Sequence, residues 1–233
     1  MKLDDPKVVR AEYADESRFE QRAAVWQNAT GPDARFVTLK AVAEPRPRRV
    51  LDVGCGPGWA SAWIQDELGA EVVALDQSER MVALARERGV DARVGDVSEL
   101  PFEDGSFDVA LAAWMLYHVL ELDRGLSELA RVLRPGGRLV AVTNAWDSLH
   151  ELWALLDAER PAYNFHSDNG AEILRRHFPR VEAREAVGTV TFADRDAAQR
   201  YVDSLVVVAG PLPPFDGELV CSRRSTIFVA EKS

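Results

Sequence analysis

The stretch V-L-D-V-G-C-G-P-G at residues 50–58 reads as the end of a buried strand followed by a turn of bare backbone. Val50, Leu51 and Val53 supply the apolar run, interrupted only by Asp52. Gly54, Gly56 and Gly58 then alternate through the turn. Glycine accepts positive φ and lets a ligand touch the main chain, because no Cβ stands in the way. The next residues, Trp59 to Ile64, have helix-compatible composition and apolar spacing. Strand, glycine turn and helix thus follow in the order that presents free helix N–H groups to a ligand.

A tight strand-to-helix turn also needs glycine for purely structural reasons, so the turn alone is weak. Asp76 strengthens the functional reading. It ends a second apolar strand, Val72 to Leu75, and lies 20 positions past Gly56. There a nucleotide-binding unit places the carboxylate that holds ribose hydroxyls. Asp96 ends a third strand-like run, Ala92 to Gly95. Acids at three successive strand ends form a constellation rather than a coincidence.

These residues resemble the class I S-adenosylmethionine (SAM)-dependent methyltransferases, in the small bacterial type related to ubiquinone and menaquinone biosynthesis methyltransferases. The blocks are V-L-D-V-G-C-G-P-G at 50–58, A-L-D-Q-S at 74–78, G-D-V-S-E-L-P-F-E-D-G-S-F-D-V-A at 95–110 and L-A-R-V-L-R-P-G-G-R-L-V at 129–140. The match thins before Arg48 and after Asn144. It implies an α/β fold with a doubly wound, seven-stranded, mostly parallel sheet, an antiparallel last strand and an N-terminal helical lid. Within a single domain, residues 1–44 would form the lid, 45–143 the SAM-binding core, and 144–233 substrate recognition and the final strands.

Composition agrees with a globular chain. At 233 residues it can bury most of its apolar surface, and 47% hydrophobic with 28% charged residues is ordinary for a folded domain. A net charge of −10 argues against nucleic acid as a partner. Cys55 and Cys221 have no ligand spacing, so neither a metal cluster nor a disulfide framework is expected. The N-terminus M-K-L-D-D-P is too polar for a signal peptide, and no apolar run reaches the roughly 18 residues of a membrane span. A cytoplasmic chain with no membrane partner is the expectation.

From residue 49, strands and helices alternate: strand 49–53, helix 59–68, strand 71–75, helix 78–88, strand 91–94, strand 107–112, helix 123–133 and strand 137–143. Such spacing implies right-handed crossovers and a parallel sheet. Residues 6–28 and 34–44 read as helices, and Arg134-Pro135-Gly136-Gly137 as a helix stop with a turn. Later, residues 147–160, 169–177 and 193–209 read as helices. Residues 186–192 and 225–230 read as strands.

The resemblance assigns roles. Gly54, Cys55, Gly56 and Gly58 would meet the cofactor with main chain, and Asp52 would orient the loop or receive the methionine ammonium. Asp76 would accept both ribose hydroxyls, a pairing strengthened by charge. Asp96 would accept from the adenine amino group, beside the Val97 N–H, with Gln77 and Met81 flanking base and sugar; a plain loop acid is the alternative for Asp96. Tyr13 and Trp26 are the lid aromatics, Tyr13 toward cofactor and Trp26 toward substrate. Ala113 and Trp114 would border the methyl group. His118 is the candidate general base, or else a histidine packed at a helix start. Tyr117, Trp146, His150, Trp153, Tyr163, Phe165 and His166 suit a flat organic acceptor, with core packing as the alternative. The implied reaction carries the SAM methyl to O, N or C of a small molecule, with secondary metabolism one setting for it.

Other functions fit less well. G-x-G-x-x-G is absent, since Trp59 stands where its last glycine would be, and no tyrosine has lysine four residues on, as short-chain oxidoreductases require. No G-x-S-x-G elbow supports a hydrolase. Ala113-Trp114-Met115-Leu116 replaces the N-P-P-Y-type segment of exocyclic-amine methylation. A catalytically silent methyltransferase-like module should have lost the glycines or acids, and this chain keeps them.

Overall fold

Strand β1 (Arg49–Val53) lies between two parallel neighbours, β2 (Glu71–Asp76) and β4 (Phe107–Ala113). Beyond them stand β3 (Asp91–Val94), β5 (Leu133–Asn144), β6 (Arg180–Phe192) and β7 (Leu219–Glu231), in the order β3-β2-β1-β4-β5-β7-β6. This computed structural model describes residues 3–5, 7–9, 21–22, 24–156, 160, 162–205 and 210–233. The strand order reverses between β1 and β4, and open α/β sheets bind ligands outside the carboxyl ends of strands at such a reversal.

Both faces of the sheet are covered, which is why its strands read as nearly continuous apolar runs. One face carries Val50, Val72, Val109, Leu111 and Val140 under α1 (Ala34–Ala43) and α2 (Trp59–Leu68). The other carries Leu51, Val73, Ala110 and Leu139 under α4 (Leu122–Val132), whose Leu126, Leu129 and Val132 are buried at helical spacing. Helix α3 (Glu79–Glu87) starts as its sequence predicts, with Ser78 Oγ accepting the Met81 N–H at 3.3 Å. Among the described residues no helix is long and apolar enough to cross a membrane.

Several boundaries differ from the sequence reading, mostly after residue 132. Arg134–Gly137 are not a mere turn: β5 begins at Leu133, opposite Phe107, and the register slips before Val109 meets Arg138. The β6–β7 pair is antiparallel over 13 residues, from Arg180↔Glu231 to Phe192↔Leu219, so both strands are much longer than 186–192 and 225–230. Arg180, Glu182, Arg184 and Glu185 hide the strand signal because β6 is a sheet edge, where charge is tolerated and useful. Among the described residues of the helix expected at 147–160, α5 (His150–Trp153) forms, entered through Leu149 at φ 61°; 157–159 lie outside the described residues. The one at 169–177 shrinks to α6 (Gly170–Leu174) and a turn, and 193–209 to α7 (Arg195–Ser204), with 206–209 outside the described residues. In the N-terminal segment, residues 7–9, 21–22 and 24–25 are helical, and a 3-10 turn spans Trp26–Asn28.

Candidate active site

A cavity of about 530 Å³ opens at the carboxyl ends of β1, β2, β4 and β5, a size suited to organic ligands. Its floor begins with the turn after β1. The N–H groups of Gly54 and Cys55 both donate to the Leu75 carbonyl, at 2.7 and 3.1 Å, which ties the turn to β2. Gly56 has φ 54° and no atom within 4 Å of where a Cβ would stand, so its main chain faces open space. Gly58 has a different task. It caps α2 at φ 80°, and a Cβ there would lie 2.7 Å from Ala85 Cβ on α3. It stands off the cavity wall and lets two helices approach, a correction to the cofactor-contact expectation.

The acids at the strand tips differ in setting. Asp76 Oδ2 accepts the Gly56 N–H at 2.9 Å and Oδ1 the Ser78 N–H at 2.8 Å. Burial raises its pKa above the usual carboxylate value, while these two donors pull it back. Asp52 is 1% exposed and accepts from Ser61 Oγ at 2.6 Å. Burial pushes its pKa up to about 7; the Ser61 bond opposes the rise and the Asp76 charge adds to it. Asp96 is exposed, accepting from the Ser98 N–H at 2.7 Å and from Gln77 Nε2 at 3.0 Å. These contacts suit a loop acid, and its partner Gln77 borders the cavity with Gly95 and Val97, so both readings of Asp96 stay open.

Opposite this floor the wall is aromatic. Trp114, directly after β4, sits in the left-handed region at φ 52° and donates from Nε1 to Asn144 Oδ1 at 3.1 Å. Tyr117 meets Tyr163 edge-on at 5.4 Å between centroids, and Tyr163 meets Trp146 at 6.0 Å. Trp26 reaches the same cavity from the N-terminal segment, as Ala113 does from β4. His118 lines it too. Its Nδ1 lies 2.9 Å from the Leu3 carbonyl, an acceptor only, so Nδ1 carries the hydrogen and Nε2 the lone pair. Burial lowers its pKa to about 4, against the Leu3 bond and with help from Arg22, so the ring is neutral at pH 7.

Four further expectations are corrected. Met81 is fully buried on the inner side of α3 and does not flank the cavity. Phe165 is 0% exposed and packs on Phe228 at 5.8 Å in the core. His150 is exposed beside Glu151, and His166 accepts the Asp168 N–H and packs behind Trp146 at 6.3 Å without lining the cavity. Tyr13 lies outside the described residues. Trp153 borders the cavity with Trp146 and Tyr163, and so do Tyr201 and Arg223, which were not foreseen. The alternation of Cys221, Arg223, Ser225 and Ile227 on one face could have placed Arg223, had the strand been read far enough toward its start.

Comparison with known proteins places this geometry in context. A family model described as a methyltransferase domain matches residues 51–141. The chain is 34% identical over 202 residues to a malonyl-[acyl-carrier protein] O-methyltransferase of Enterobacter lignolyticus, covering 83% of this chain and 74% of that one. It is 44% identical over 111 residues to a demethylmenaquinone methyltransferase of Clavibacter sepedonicus, 46% of this chain and 45% of the other. It spans between 45% and 64% of the lengths of three curated relatives, one of them an uncharacterized transposon protein of Streptomyces fradiae. A Thermotoga maritima structure described as a SAM-dependent methyltransferase, possible histamine N-methyltransferase, shares the fold with TM-score 0.61 at 23% identity, covering 93% of this chain and 96% of that one.

Proposed function

The chain belongs to the class I SAM-dependent methyltransferase family, and from that premise we propose that it methylates O, N or C of a small, flat organic acceptor. One observation carries the reading: a single cavity joins the Gly56–Asp76 turn to the aromatic wall of Trp26, Tyr117, Trp146 and Tyr163. The residues present suit SAM. Gly56 offers open main chain, Asp76 is a half-buried carboxylate with lone pairs left over, and Asp52 stands one strand away.

The cofactor supplies a methyl group activated on a sulfonium. The protein's share is position. Asp76 would accept the ribose hydroxyls, Asp96 and the Val97 N–H would meet the adenine edge beside Gln77, and Asp52 would orient the turn or face the methionine ammonium. Leu3, Val9 and Trp26 of the N-terminal segment line the cavity, and acting as a lid they would exclude water and hold the acceptor in line. Where the acceptor arrives protonated, the neutral His118 takes the proton on Nε2.

Incubation with SAM labelled at the methyl group and metabolite extracts tests the reading. A labelled small molecule that forms with wild-type protein and not with Asp76→Ala is expected. Failure to bind SAM in calorimetric titration overturns the proposal.

A further inference from the structure

At the far end of the cavity a buried cation keeps a hydrogen-bond donor that the protein does not use. Arg223, on β7, is 6% exposed. Its Nη2 donates to the carbonyls of Thr30 at 2.5 Å and Pro32 at 2.9 Å, whereas its buried Nε–H has no acceptor. Among the described residues no carboxylate forms an ion pair with it. Asp33, whose charge reaches Arg223, is gripped by Arg35 through Nε at 3.1 Å and Nη2 at 2.6 Å. A buried guanidinium without a carboxylate is costly, and an orphaned buried donor in a native fold calls for a reason.

Topology puts this group with the acceptor rather than the cofactor. Asn144, the last residue of β5, pairs with Ser225, so Arg223 stands two residues beyond the end of β5 and over the cavity. Strands β4 and β5 separate β7 from β1. At about 4.8 Å per strand, Arg223 lies about 14 Å across the sheet from the glycine turn. The charges of the lining are also sorted. Asp52 and Asp76 occupy the turn end, and the remainder carries Arg22, Arg160 and Arg223 besides the mutually paired Asp33 and Arg35, in a chain whose net charge is −10. Arg160 likewise donates to main-chain carbonyls, those of Trp146 and Ser148, and lies over the Trp153 ring at 5.2 Å.

We propose that Arg223 anchors a carboxylate of the methyl acceptor, so that the acceptor is an organic acid with a flat apolar body. The proposal rests on the methyltransferase reading above. A planar guanidinium pairs well with a carboxylate, and one desolvated beside apolar walls does so more strongly than at a surface.

The test titrates aryl carboxylates, benzoate to naphthoate, and their matched amides into protein saturated with S-adenosylhomocysteine, reading tryptophan fluorescence. The acids are expected to bind at least tenfold more tightly than the amides. That ratio should collapse toward one in Arg223→Gln and survive in part in Arg223→Lys, with S-adenosylhomocysteine affinity within twofold of wild type in both. Equal binding of acids and amides, or binding of neither, overturns the anchor. So does a tenfold loss of S-adenosylhomocysteine affinity in Arg223→Gln with the ratio intact, which would assign the arginine to the cofactor's own carboxylate. If Arg223→Gln fails to fold, the wild-type ratio and Arg223→Lys decide. Wild-type protein that binds no S-adenosylhomocysteine defeats the underlying reading, whereas binding without acid preference defeats only the anchor.

Discussion

The Asp76 carboxylate accepts the main-chain N–H of Gly56 at 2.9 Å, so the tip of β2 holds the middle of the turn that follows β1. Its second oxygen is fixed by the Ser78 N–H, the residue that caps α3. Two strands, a turn and a helix start therefore share one side chain. The carboxylate is oriented by its own fold, which lowers the ordering cost of binding.

Asp76→Ala removes both the latch and the acceptor. Hydrogen bonds to a charged group are worth about 1.5–3 kcal/mol, so SAM affinity should fall about 10- to 150-fold. Gly56→Val, at φ 54°, should weaken binding through the main chain instead. Titration calorimetry reads both, and SAM binding within twofold of wild type in Asp76→Ala removes that residue from the site.

The two ends of α2 separate crowding from backbone strain. Gly58 and Gly69 both have positive φ, 80° and 62°, but only Gly58 has a neighbour, Ala85, in the way of a Cβ. Gly69→Ala should cost about 1–2 kcal/mol from the left-handed conformation alone. Gly58→Ala should cost about 1–3 kcal/mol more for overpacking. Urea unfolding checks this, and equal losses for the two variants would refute the steric role of Gly58.

Asp52 and His118 should oppose each other in the pH dependence of stability. Asp52 titrates at about 7 in the fold against 3.8 ordinarily, so the folded state binds the extra proton and this contribution falls as pH rises from about 4 to 7. His118 titrates at about 4 against 6.5, so the unfolded state binds the extra proton and this contribution is lost as pH falls from about 6.5 to 4. Each slope approaches about 1.4 kcal/mol per pH unit. Relative to wild type, Asp52→Asn should make stability rise with pH between 4.5 and 6.5, and His118→Gln should make it fall. Parallel pH profiles for all three proteins would contradict both buried settings.

His118→Gln also probes chemistry. If Nε2 takes a proton from the acceptor, kcat should drop about 100-fold or more while SAM affinity stays unchanged. Because the ring is neutral well below pH 6.5, the wild-type rate should show no step near 6.5 from this residue. A loss of less than fivefold would leave His118 as a support for the Leu3 segment.

The glycine turn, the acids Asp52, Asp76 and Asp96, and the strand–helix rhythm from residue 49 to 143 were legible because each signal is local. A strand end, a bend and a helix start are written in adjacent residues, and parallel strands covered on both faces must be apolar throughout. Phe165 and Tyr163 show where this ceases: two aromatics in one irregular segment, one in the core against Phe228 and one in the cavity against Tyr117. Residue type permits either place, and only what packs on each side of the chain decides. Met81, on the inner side of α3, is buried for the same reason. Arg223 is the plainest case, since its place depends on β7 running 13 residues beside an edge strand whose charges conceal it. The sequence alone determined the family's cradle; the pairing of β7 with β6, a contact between segments far apart in the chain, decided which cation stands over the cavity.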